Sequence, residues 1–152
     1  VVEARKHATT RILRSVPGIG PIRAAVILGV DGTPHRFRTK KQFWGYCGLA
    51  VVTTTSAEYE LVHGRVHRSN KRPLVRGLNN NYNRAMKSVF KGAAKTVADG
   101  VWKSRYDAMV AEGMPESLAR VTLARKIASI TLAVWKKGER YDHRKLKTIH
   151  AA

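Results

Sequence analysis

Between residues 3 and 16, Ala4, Ala8, Ile12 and Leu13 recur on one side of a 3.6-residue repeat while Arg5, Lys6, Arg11 and Arg14 fall mostly elsewhere, which predicts an amphipathic helix stopped by Pro17. A second short helix is expected to begin at Pro21, where a missing N–H costs nothing, and to run through Ala24, Ala25, Ile27 and Leu28 towards Gly29. A third spans Thr39 to Tyr46, with Thr39 as N-cap and Gly48 as terminator. The pattern then changes. Residues 49–68, LAVVTTTSAEYELVHGRVHR, are rich in β-branched side chains and contain a His-Gly step, so they predict an extended segment or irregular hairpin, the one β region expected.

From Pro73 the three-and-four spacing returns in Leu74, Leu78, Tyr82, Ala85, Met86, Val89, Phe90, Ala93 and Val97, with Arg72, Arg76, Arg84, Lys87, Lys91 and Lys95 on the other face. Gly77 and Gly92 weaken that helix by up to ~1 kcal/mol each and mark places for a kink or a close helix contact. After a turn near Gly113, Pro115 and Glu116 open a helix whose apolar residues, Leu118, Val121, Leu123, Ala124, Ile127, Ile130 and Val134, are spread too widely for a surface helix. It should be largely buried, packed on the helix after Pro73. The polar tail 138–152 is expected to fray. The fold class expected is mainly α: a helix-hairpin-helix module over 3–30, the strand-like segment 49–70, a helical region 73–137 and the tail, within one domain.

Charge changes the picture. Lys plus Arg is 29 against 10 acids, a net charge of +19, in a chain whose hydrophobic content of 43% is ordinary for a globular domain. A folded domain carries such self-repulsion best with a polyanionic partner, and nucleic acid is the first candidate. A membrane partner is disfavoured, because no run approaches the roughly 18 apolar residues of a spanning helix and the basic residues are scattered. Cys47 stands alone, which excludes an internal disulfide framework and suits a reducing cytosol. The start, VVEARKHATT, has neither Met nor signal-peptide layout and is expected to lie inside a longer protein.

Candidate chemistry is sparse. Val16-Pro17-Gly18-Ile19-Gly20-Pro21 resembles the turn of a helix-hairpin-helix module, in which glycines bring backbone N–H groups close to a phosphate; a plain Pro/Gly helix connector is the other reading. Arg36, Arg38, Lys40 and Lys41 precede Phe43, Trp44 and Tyr46, which either stack a base or, more simply, sit in the core beneath a basic surface. His63 and His67 are four apart, but their segment reads as extended and lacks nearby ligands, so a zinc site is disfavoured. The ten acids are dispersed, so two-metal phosphoryl chemistry cannot be assembled from this chain alone. Ser56 reads by composition as a loop serine.

Taken together, RILRSVPGIGPIRAAVILGV, HRFRTKKQFWGYCGLA, Thr55-Ser56-Ala57, GRVHRSNKRPLVRGLNNNYN and FKGAA resemble the C-terminal transposase domain of the insertion-sequence one-ten family, also called bridge recombinases, from about Arg11 to Ala94. The matching features are Pro17 to Gly20, Arg36-Phe37, Tyr46 to Leu49, Ser56, and Asn70 with Leu74 and Arg76. Two departures are visible: Ala57 stands where the family has glycine after the serine, and the Asn70 to Leu74 spacing is one residue longer than the pattern.

That resemblance implies a helical DNA-contacting domain in which Ser56 attacks a DNA phosphate. It implies a RuvC-like domain elsewhere that holds divalent metal, Mg being the expected ion, with no cofactor in this chain. It also implies DNA as partner, a structured guide RNA for some members, a dimer or tetramer, and residence in a bacterial or archaeal cytoplasm. Phosphate contacts are expected from Gly18, Gly20, Arg23, Arg36, Arg38, Arg68, Lys71, Arg72 and Arg76. A non-catalytic helix-hairpin-helix binding module needs the same charge and hairpin but no special serine, and stays open as the alternative. An oligomerisation role for the apolar helix at 118–135 is compatible with either.

Overall fold

The computed structural model describes residues 7–54, 59–68 and 75–144 of the chain. Among these, six α-helices and four short strands alternate in three groups: α1 (Ala8–Leu13), α2 (Pro21–Asp31) and α3 (Lys40–Tyr46); β1 (Val51–Thr54), β2 (Tyr59–Val62), β3 (Arg65–Arg68) and β4 (Val75–Leu78); then α4 (Arg84–Ala98), α5 (Lys103–Ala111) and α6 (Glu116–Lys137). The mainly helical class follows the apolar pattern.

Local chemistry sets the helix ends. Pro21 occupies the first turn of α2, and Gly32, at φ 65°, ends it. Thr39 and Gln42 close a capping box on α3: the Thr39 hydroxyl accepts from the Gln42 N–H, and the Gln42 carboxamide accepts from the Thr39 N–H. Gly138 ends α6 in the left-handed conformation, with Lys136 and Lys137 beside the exposed carbonyls.

The core is helical throughout. α6 packs most extensively on α4 and also touches α1, α3 and α5, and α2 lies against α4. Phe43, Phe90, Leu13, Ile27, Leu49, Met86, Leu123 and Ile127 are fully enclosed, with Phe43 edge-on to both Phe37 and Phe90. Trp44 is half-buried, and its indole N–H donates to the Arg125 carbonyl and the Ser129 hydroxyl, so this aromatic is committed to the α3–α6 contact and not to a base.

One expectation is corrected. The segment after Pro73 does not go straight into helix: β4 pairs antiparallel with β1 in the register Val51 to Leu78 and Thr54 to Val75, so Gly77 and Leu78 lie in a strand. The helix begins ten residues or so later than the spacing suggests because the Asn79–Asn83 run intervenes. Asn79 donates its side-chain N–H to the Gly45 and Asn81 carbonyls, and Asn83 caps α4 by accepting from the Met86 N–H. Leu74 lies outside the described residues. α5 falls inside the helical region expected over 73–137, although no strong apolar stripe announces it and it has no fully buried residue.

The expected hairpin is present. β2 and β3 pair from Tyr59 with Arg68 to Val62 with Arg65, turning at His63 and Gly64, both at positive φ. It forms a sheet separate from β1–β4.

Candidate nucleic-acid interface

On α4 the two faces divide sharply. Met86, Val89, Phe90, Ala93, Ala94, Val97 and Ala98 are buried, whereas Arg84, Lys87, Ser88, Lys91 and Lys95 follow the same three-and-four spacing on the outside. Tyr82 and, from α6, Arg120 complete an open groove of about 650 Å³ along this face. Five cations thus line one trough. The acid that meets it is Glu116, 3.2 Å from Arg120 in an exposed pair of the kind worth under ~1 kcal/mol.

A backbone close approach organises the top of the groove. Gly48, at φ 67°, lies so near Tyr82 that an added Cβ would sit 2.6 Å from its ring carbon, and the same atom would meet the Lys87 stem at 3.0 Å. Glycine there lets α3 and α4 close, and the Lys87 ammonium comes to rest 3.8 Å from the centre of the Tyr82 ring. The cations therefore stand on a fixed helix face and not on loops, which suits a track for a phosphate backbone.

The residues expected to meet phosphate are placed as follows. Gly18, at φ 80°, does make a close approach, but to protein: an added Cβ would lie 2.8 Å from the Ala93 carbonyl oxygen in α4. Arg23 donates to the Gly18 carbonyl at 2.7 Å and to the Thr96 hydroxyl at 3.2 Å, and its guanidinium covers Gly92, where an added Cβ would meet it at 2.9 Å. The expected close contact at Gly92 is thus Arg23, which ties α2 and the turn at Gly18 to α4. Gly20 is extended, with nothing within 4 Å of an added Cβ, at the start of α2.

Arg36 lies 3.8 Å from the buried Asp31 carboxylate and over the rings of Phe37 and Tyr46, leaving its outer part in solvent. Burial pushes the Asp31 carboxyl above the ordinary 3.8, with the Tyr46 hydroxyl and Arg36 pulling the other way. The Tyr46 hydroxyl accepts from the Asn83 side chain and keeps its own proton to act on the carboxyl, although neither Asp31 oxygen has a well-formed hydrogen bond. Arg38 and Arg68 are exposed, the latter opposite Tyr59 on the hairpin. Arg76 lies in β4 opposite Thr53. Ser56, Lys71 and Arg72 lie outside the described residues.

The register of the β1–β4 ladder nevertheless carries information. Its end pair is Thr54 with Val75, so the chain leaves towards Ser56 and arrives from Lys71 and Arg72 at the same end of one two-stranded ladder. Arg125 fixes the other end to α6 by donating to the Leu49 carbonyl at 2.6 Å.

Residues 10–107, more than half of the chain, match the family described as transposase IS116/IS110/IS902. The chain belongs to that family. A curated relative, the insertion element IS110 uncharacterized 43.6 kDa protein of Streptomyces coelicolor, is 32% identical over 138 residues, which cover 91% of this chain and 31% of the relative. The chain therefore spans about a third of that relative's length. Within the IS110-type transposase domain, the α4 stripe was legible as a basic face but Arg120 was not, because it reaches the groove from a helix that follows an intervening turn of chain and α5.

Proposed function

We propose that this chain is the DNA-contacting, serine-bearing domain of an IS110-type transposase. Membership of a transposase family implies action on DNA. The observation that supports the reading best is the groove of Arg84, Lys87, Lys91, Lys95 and Arg120 on a rigid helix face, a geometry that holds a sugar-phosphate backbone without reading bases. The ladder register adds to it, since Ser56 and the basic run Lys71-Arg72 are sequence neighbours of the same end pair.

In this reading the Ser56 hydroxyl oxygen attacks a DNA phosphorus. A serine phosphodiester forms, the bond to the leaving deoxyribose oxygen breaks, and that oxygen takes up a proton; attack by the freed hydroxyl of another strand reverses the step and completes exchange. Among the described residues no group of three or more His, Cys, Asp or Glu is placed to hold a metal, so these residues do not fit the divalent ion that the family resemblance implies. The base that accepts the serine proton belongs to another part of the transposase, with a guide RNA and a dimeric or tetrameric assembly as further expectations.

The domain-level test is salt dependence. The 152-residue chain should bind duplex DNA with a steep negative slope of log K on log salt, and Lys87→Ala/Lys91→Ala/Lys95→Ala should flatten it by roughly 0.9 for each phosphate contact removed. An unchanged slope in a folded triple variant rejects the groove as the interface.

A further inference from the structure

At the far end of α6 from Arg120, a second basic cleft of about 320 Å³ is lined by Arg11, Arg14, Ser15 and Arg140. The chain builds it from both sides of the domain. Ser15, just past α1, donates its hydroxyl to the Ile12 carbonyl at 2.6 Å and accepts from the Tyr141 N–H at 2.8 Å, so the segment after α6 is tied down onto the end of α1. Gly138 turns the chain towards that contact, and Tyr141 packs partly against the core. Arg140 is thereby held beside Arg11 and Arg14, which precede it by 129 (140 − 11) and 126 (140 − 14) residues in the chain. A helix C-terminus explains a cation at Arg11 or Arg14, but not one delivered from the other end of the chain.

Three guanidiniums converge here, and among the described residues none of them is in an ion pair or side-chain hydrogen bond. Like charges brought together destabilise the fold unless an anion joins them. All three are arginines, whereas the α4 groove is chiefly lysine. The planar guanidinium fork grips a phosphate in two-pronged fashion, where lysine offers a point charge.

We propose that the Arg11–Arg14–Arg140 cleft is a second phosphodiester-binding site, independent of the α4 groove. It rests on the reading that this domain binds nucleic acid, and makes the domain bivalent. Arg120 and Lys137 lie in one straight helix, about 26 Å apart at ~1.5 Å per residue, so the two sites meet phosphates roughly eight nucleotides apart, at ~3.4 Å each, or on separate molecules.

A DNA stem-loop with a stem of four base pairs and a minimal loop, about 20 Å long overall, is too short to occupy both sites. Titrated into the 152-residue chain, it should bind with a stoichiometry of two. Arg11→Ala/Arg14→Ala/Arg140→Ala, all exposed positions, should reduce this to one, while the charge-matched Arg65→Ala/Lys103→Ala/Arg105→Ala keeps two. The Arg→Lys triple at the same three positions preserves charge and should weaken the second event about tenfold by losing the fork. An RNA stem-loop of the same length, run in parallel, shows which nucleic acid supplies the phosphates, loss of the second event with either one supporting the site. A stoichiometry of one for the unmodified chain, abolished only by the Lys87/Lys91/Lys95 variant, overturns the second site and leaves the proposed function standing. Two stem-loops on the arginine variant, or loss of one on the charge-matched control, also overturns it. No binding by the unmodified chain removes both.

Discussion

The helical body and the strand segment between residues 49 and 78 are built on opposite terms. In the body Met86, Phe90, Leu123 and Ile127 of α4 and α6 are enclosed, and polar groups such as the Trp44 indole find partners across helices. In the β2–β3 hairpin every residue with a described side chain is exposed, including Tyr59 at 64%, Leu61 at 75% and Val66 at 66%. A lone two-stranded hairpin is marginal by itself, so its order derives from the chain on either side and from whatever it meets. The body fixes where the cations stand; the strand segment leads to the serine.

The sharpest way to break this contrast is to cut into each part. Phe90→Ala empties a fully enclosed site and should cost about 3–5 kcal/mol, read by denaturant or thermal unfolding. Gly18→Val adds a left-handed β-branched residue against the Ala93 carbonyl and should cost about 2–4 kcal/mol. Gly20→Val, two residues away but unobstructed, should cost under about 1 kcal/mol, so any loss of DNA affinity in that variant reports contact at the start of α2 and not unfolding.

Asp31 sharpens the comparison through pH. Its folded carboxyl titrates above 3.8, so the unfolded chain ionises first, and the stability associated with the protonated form is present below about 3.8 and lost as pH rises through the folded value. Asp31→Asn should therefore stabilise the fold at neutral pH and leave it unchanged at pH 3. A gain equal at both pH values would contradict burial of the charge as the cause. At the small end, Leu61→Ala should change stability by less than about 0.5 kcal/mol while the hairpin stands clear of the body.

What could be read from residues alone follows the same division. α1 ends at Leu13, ahead of the stop expected at Pro17, whereas the Pro21 start of α2, the Thr39 cap and the buried character of α6 were legible because each is dictated locally or by a long apolar repeat. β4 was not, since Leu74, Leu78 and Tyr82 continue the helical spacing of α4 and only pairing with β1, more than twenty residues earlier, decides for a strand. At the site, the serine and its basic neighbours came from likeness to a family, and the stripe on α4 from periodicity. Arg23 reads as a surface cation in sequence, yet its partners, the Gly18 carbonyl and Thr96, are chosen by packing. Arg140 beside Arg11 and Arg14 is likewise a product of the tail folding back onto Ser15.

The central claim, that this domain supplies the attacking oxygen for DNA strand exchange, is tested most directly by denaturing-gel mobility of labelled DNA incubated with the full-length transposase, its metal and its RNA. The account predicts a covalent protein–DNA band and recombinant product for the unmodified protein. Ser56→Ala should lose both with DNA affinity and fold intact, because removing one hydroxyl costs at most ~1–2 kcal/mol of stability. Thr55→Ala should retain substantial activity, since the family resemblance gives the attack to Ser56 and not to its β-branched neighbour. Normal recombination by Ser56→Ala would contradict the claim.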